Sequence, residues 1–121
     1  KGRIVGVVRH TKIGDHTYYG GGYVLSPEAR SNGLGEAFNQ RVLEQEGKDN
    51  NIVAMCSPKL ADYHSRAFGF QQAGEVKDYL GTGHTSAFIV RPAENPAYAI
   101  TPDQGMSETR DFIEGIYGLR K

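Results

Sequence analysis

With a single cysteine, Cys56, the sequence has no means of forming an internal disulfide. It also lacks any apolar run near the roughly 20 residues that a bilayer-spanning helix needs, which argues against a membrane anchor of that kind. Neither sign of charge dominates: Lys and Arg total 14 and Asp and Glu total 14, with no basic stripe readable from spacing. A polyanionic partner such as a nucleic-acid backbone is therefore not expected. No internal repeat or low-complexity block is present, and the four histidines, His10, His16, His64 and His84, show none of the close pairing typical of a zinc site. There is no charged-then-apolar leader, and the sequence begins at Lys1 rather than Met, consistent with processing, trimming or an incomplete chain. These features lead to the expectation of one folding unit, soluble and cytoplasmic, working without nucleic acid, membrane or metal.

The β-branched run Ile4, Val5, Val7 and Val8 predicts a buried strand over Arg3 to Thr11, ended by the turn-prone Gly14-Asp15. A second strand is predicted over Thr17 to Leu25, interrupted by Gly20, Gly21 and Gly22. Three glycines weaken a strand unless it bulges or another group approaches its backbone closely. Leu34, Ala37, Phe38 and Val42 recur at helical spacing, with Gly47 as the stop. Ile52 to Cys56 reads as a central strand covered on both faces. Ser57-Pro58 then opens a helix in which Leu60, Ala61, His64, Ala67 and Phe68 share a face, ending at Gly69. Two more strands, Glu75 to Leu80 and Thr85 to Val90, are expected to form a hairpin about Gly81-Thr82-Gly83. An extended tail from Pro92 to about Met106 precedes a helix opened by Ser107, with Phe112, Ile113, Ile116 and Tyr117 as its apolar stripe. That stripe can pack on its own sheet or on a second copy.

The segment from Tyr23 through Ser26-Pro27-Glu28 to Arg30-Ser31-Asn32-Gly33-Leu34-Gly35 ends a strand, turns and opens a helix. Glycines at such a junction let an anionic group sit directly on unpaired backbone N–H groups at the helix N-terminus. The same letters also suit an ordinary helix-opening turn. A dinucleotide site is the weaker reading, because the third glycine and the later ribose-binding acid are missing.

This segment resembles the acetyl-CoA signature of the GNAT superfamily of N-acetyltransferases: Arg or Gln, two variable residues, Gly, one variable residue, then Gly or Ala. Arg30, Gly33 and Gly35 match it. Val24 to Glu28 is similar to the family's strand-end phrase, and Ala67-Phe68-Gly69-Phe70 to its helix-ending apolar-Gly-Phe phrase. The resemblance covers Arg3 to Arg91, about three quarters of the chain.

The resemblance implies an α/β (α+β) fold, a mixed and mostly antiparallel sheet flanked by helices, with two central strands splayed around the pantetheine arm of acetyl-CoA. Residues 1–91 would form this cofactor-binding core and 92–121 a C-terminal extension with a helix. Tyr23, Val24 and Leu25 would offer backbone groups to the arm, and Ser31, Asn32, Gly33, Leu34, Gly35 and Glu36 would cradle the diphosphate. Arg30 would add charge there or pack its stem on the loop. The implied activity is transfer of an acetyl group to a primary amine by direct attack. The alternative is a non-catalytic module of the same fold, with or without affinity for coenzyme A, within a larger assembly.

Two departures from the family pattern bear on activity. Family members often carry a tyrosine five residues before the final Phe, where its hydroxyl can protonate the departing thiolate; here the position is Ser65, a poor acid. Tyr63 is a substitute if it faces the cleft, and a surface or core tyrosine otherwise. Glu28 is the leading candidate base, with Asp15, His16 and His84 behind it, and a solvated loop carboxylate is its plain reading. Cys56 reads as a small core residue ahead of an acyl carrier. The family's first strand, two helices and next strand, which build much of the acceptor site, have no counterpart before Arg3. An uncovered sheet edge would favour a homo-oligomer or a larger assembly.

Overall fold

Strand β1, Gly6–Gly14, turns through Asp15 and His16 into strand β2, Thr17–Leu25, and the two pair antiparallel. The computed structural model describes residues 6–25, 34–116 and Gly118. The first strand thus runs past the expected Thr11 to Gly14, because the two-residue turn uses Asp15-His16 rather than Gly14-Asp15. The expected start at Arg3 lies outside the described residues. Val7 faces Val24 while Arg9 faces Gly21, so β2 carries one more residue than β1 across this interval, Gly22 and Tyr23 opposite Val8. The glycine run bulges here, one of the conditions under which a strand tolerates it.

Helix α1, Leu34–Glu46, follows, then β3, Asn51–Cys56, α2, Pro58–Phe68, and β4, Gln71–Val76. A 3-10 turn over Tyr79–Gly81 leads to β5, Ser86–Arg91, and the chain closes with α3, Pro102–Ile116. The five-stranded sheet has the order β1-β2-β3-β5-β4, and the pairing is antiparallel except between β2 and β3. The fold is therefore mixed α/β with a mostly antiparallel sheet, as expected.

Each face of the sheet has its own core. Leu43 of α1 and Ala61 and Phe68 of α2 pack with Ile52, Phe70, Ala87 and Ile89 on one side. On the other, Ile113 of α3 packs with Tyr79 and Phe88, and Met106 and Phe112 add to the cluster. The C-terminal stripe thus covers its own sheet, although Ile116 is 61% exposed. Within α1 the residue facing the core is Leu43, 2% exposed, whereas Ala37 is exposed. Leu60 likewise stands out of the face shared by Ala61 and Phe68.

Local chemistry sets the helix ends. The Ser57 hydroxyl accepts from the Leu60 N–H at 3.4 Å, Pro58 occupies the first turn, and Gly69 ends α2 at φ 78°. Helix α3 starts at Pro102, five residues before the expected Ser107. The Gln104 N–H donates to the Thr101 hydroxyl at 3.1 Å and the Gln104 side-chain oxygen accepts from the Thr101 N–H at 2.8 Å. Thr101-Pro102-Asp103-Gln104 is a capping box with proline at the first helical position. The expected strand Glu75 to Leu80 is displaced to Gln71–Val76: Asp78 and Leu80 take positive φ and the 3-10 turn occupies Tyr79–Gly81. The hairpin itself is present, with β4 paired antiparallel to β5.

Candidate active site

The parallel ladder between β2 and β3 consists of Thr17, Tyr18 and Tyr19 opposite Asn51, Ile52 and Val53, and goes no further. Beyond it β2 continues to Leu25 paired with β1 alone, and β3 continues to Cys56 paired with β5 alone. The two strands therefore part toward their carboxyl ends, the end of a parallel pair at which α/β proteins place their ligands. Backbone groups of Gly20 to Leu25 on the β3 side are released from the sheet and need other partners.

A cavity of about 250 Å³ lies at this parting, on the side covered by α1 and α2. Gly20 and Gly21 of β2, Ala54 and Cys56 of β3, His64 of α2 and His10 of β1 contribute to its wall. A Cβ at Gly20 would stand 3.5 Å from the His10 ring and 3.7 Å from Ile52 Cγ2, and so would occupy space beside both. His10 is held from behind, because its Nδ1 pairs with the Glu46 carboxylate at the end of α1.

His64 is a half-buried polar residue of this wall. Its Nδ1 is one of two buried side-chain nitrogens without a hydrogen-bond partner among the described residues; the other is Arg91 Nη1. Its ring packs among Tyr63, Phe68 and Phe70 at centroid distances of 5.4 to 5.8 Å. Burial among these rings lowers the pKa of the imidazole from its ordinary value, since no countercharge replaces lost water. Cys56, half-buried at the end of β3, has its thiol pKa raised by the same desolvation. It serves both the core and the cavity wall.

The residues expected to act divide by position. Tyr23, Val24 and Leu25 end β2 on the freed stretch, and Leu34, Gly35 and Glu36 open α1, with Glu36 exposed. Glu28, Arg30, Ser31, Asn32 and Gly33 lie outside the described residues. Ser65 is half-buried on α2. Tyr63 is 37% exposed, with its ring edge-on to Phe68 at 5.7 Å, and does not contribute to the cavity wall. Desolvation, and then the Glu36 carboxylate, raise its phenol pKa. His16 is stacked on Tyr98 at 3.6 Å and its Nδ1 contacts the Asp49 carbonyl. His84 borders a separate depression with Ser57 and Ser86. His64 and His10 were not selected from the sequence. Helical spacing places His64 with Ala61 and Phe68 but cannot say that a cavity lies there, and His10 is brought in by strand pairing.

No protein-family profile and no curated protein sequence matches this chain. Solved structures do. Over 76% of this chain, the ribosomal-protein-S18-alanine N-acetyltransferase of Escherichia coli superposes with a TM-score of 0.63 at 12% identity. A GNAT-family protein from Bacteroides thetaiotaomicron covers 97% with a TM-score of 0.63 at 14% identity, and a GNAT-family acetyltransferase from Bacillus anthracis covers 72% with 0.56 at 22%. The chain has the GNAT fold. It spans 63% of the length of the E. coli protein and 57% of that from B. anthracis. In the GNAT fold of this chain, the parting of β2 from β3 is the splay that the family resemblance implies. No helix among the described residues is long and apolar enough to cross a membrane.

Proposed function

We propose that this chain is the acetyl-CoA-binding part of an N-acyltransferase that moves an acetyl group to a primary amine. The observation that carries the reading is the parallel ladder ending at Tyr19 and Val53 with a cavity at the opening. Two features fit the cofactor. An extended pantetheine arm presents amides at strand-like intervals, and the freed edge of β2 from Gly20 to Leu25 offers backbone groups to meet them. The N-terminus of α1 follows the strand, and Arg30-Ser31-Asn32-Gly33-Leu34-Gly35-Glu36 is the sequence suited to the diphosphate.

Acetyl-CoA supplies a thioester whose carbonyl is open to a neutral amine. The chain's part is to hold that carbonyl beside the end of β2, where a backbone N–H near Leu25 stabilises negative charge developing on the oxygen. Ser65 and Tyr63 are secondary candidates for passing a proton to the departing sulfur, and Glu28 for receiving one from the amine. Residues 1–91 form the core of this reading and 92–121 its extension.

Titration calorimetry with acetyl-CoA tests the reading, comparing the wild type with a Gly33→Glu, Gly35→Glu double variant. Micromolar-range binding abolished in the variant is expected. Absence of binding by the wild type refutes it, and binding without transfer to any primary amine identifies a non-catalytic module.

A further inference from the structure

We propose that His64 is the proton carrier of the acyl transfer, taking a proton from the attacking amine and delivering it to the coenzyme A thiolate. The inference rests on the acyltransferase reading. It starts from a polar group that the fold leaves unsatisfied: His64 Nδ1 is buried without a hydrogen-bond partner among the described residues. Buried polar groups are normally paired, and the residue that carries this unpaired one contributes to the cavity wall. His64 shares that wall with Gly20, Gly21 and Cys56, at the opening between β2 and β3.

Ser65 and Tyr63, the two candidates among the described residues, are less suited to this step. Ser65 offers a hydroxyl that is a poor acid and a poor base. Tyr63 does not contribute to the cavity wall, and its raised pKa makes it a weaker acid than a free phenol. His64 combines the two properties required. Burial favours its neutral imidazole, ready to accept a proton, and makes its imidazolium a readier donor than a free one. A thiolate, with a conjugate acid of pKa about 8.5, takes that proton downhill.

The balance is complete without any other reactant. The amine lone pair forms the C–N bond, the C–S bond breaks, and its electrons stay on sulfur. The proton shed by nitrogen passes to His64 and then to sulfur, giving amide, thiol and a neutral His64.

The ionisable groups around His64 are few among the described residues. β1 contributes His10, which is paired with Glu46 of α1; β3 contributes Cys56; and α2 contributes Tyr63. Asn39 of α1 adds an uncharged amide to the wall. The second imidazole, His10, makes a His10→Gln variant the necessary control for any pH effect.

The test uses acetyl-CoA with spermidine and with short peptides bearing a free N-terminal alanine or an internal lysine. Wild type and His64→Gln are compared by calorimetry and by the pH profile of kcat/KM. The expected result is acetyl-CoA affinity within about threefold of wild type, kcat lower by about a hundredfold or more, and loss of the acid limb. That limb should persist in His10→Gln. An unchanged rate and limb in His64→Gln overturn the proposal, as does loss of acetyl-CoA binding in parallel with rate, which marks a structural or binding residue. A wild type that binds acetyl-CoA but acetylates none of these amines overturns the carrier role while leaving the cofactor site intact. A wild type without acetyl-CoA binding refutes the underlying reading as well.

Discussion

Asn51, the first residue of β3, holds Ala93 through a 2.8 Å hydrogen bond from the Ala93 N–H to its side-chain oxygen. The same oxygen accepts from the Ile100 N–H at 3.1 Å, while the side-chain nitrogen donates to the carbonyls of His16 at 2.8 Å and Tyr98 at 2.9 Å. One amide, 1% exposed, thus joins the β1–β2 turn, β3 and the segment before α3. Replacement by Leu keeps the approximate volume and removes every bond, leaving buried backbone groups unpaired. Asn51→Leu is expected to lower unfolding free energy by about 3 kcal/mol in urea titrations. Asn51→Asp should be nearly as damaging, because a carboxylate would face the two carbonyls that now receive N–H groups.

Gly105 of α3 lies so close to Val90 of β5 that a Cβ would overlap the valine methyl groups. The contact seats α3 on the sheet, and side-chain bulk at this point must push the helix away. Gly105→Ala is expected to destabilise by about 1–3 kcal/mol, the usual range for overpacking. Val90→Ala in the same chain should return part of that loss, so the double-mutant cycle shows a coupling of about 1 kcal/mol or more. Additive effects in thermal or urea unfolding would contradict the contact.

Features that act locally were legible in the sequence, and those that depend on strand pairing were not. Helical periodicity and capping residues were enough to place α1 and α2, because Ser57-Pro58, Gly69 and Gly47 act locally. The mixed sheet and the expected GNAT fold followed from motif order. Strand β4 was misplaced because Tyr79 and Leu80, although apolar, are used in a 3-10 turn that buries Tyr79 against Phe88 from outside the strand. The start of α3 is signalled by a reciprocal pair of bonds between Thr101 and Gln104, not by the apolar stripe, which begins only at Phe112. At the candidate site, the end of β2 was readable as a motif; the parting from β3, and the cavity that contains His64, arise from strand pairing and have no local signature.

Stability should depend on His64 through pH. Its pKa is lowered in the folded chain, so below the ordinary value of 6.5 the unfolded chain binds a proton that the folded chain does not. Stability therefore falls as pH drops from about 6.5 toward the folded value, and levels off for this group beneath it. His64→Gln should remove this part of the pH dependence, giving a smaller slope of unfolding free energy against pH just below the ordinary value of 6.5. Equal slopes in wild type and variant would show that His64 carries no such difference.

Cys56 offers a chemical measure of the same cavity. Its thiol pKa is raised above the usual value by burial, so less thiolate is present at pH 8 than in a free cysteine. Alkylation by iodoacetamide at pH 8 should be slower than that of a cysteine peptide by about tenfold, and should slow further with saturating acetyl-CoA. A reaction as fast as the peptide's would place the thiol in open water.

Among the described residues the ladder between β2 and β3 is three pairs long, and Asn51 stands at its closed end. The arrangement has the mechanics of a pair of tongs: a small rotation at Asn51 becomes a larger displacement at Leu25, several residues along the arm. Width at the mouth is therefore governed from the pivot, so a change at Asn51, which contributes nothing to the cavity wall, should alter grip on a ligand as well as the tenacity of the fold.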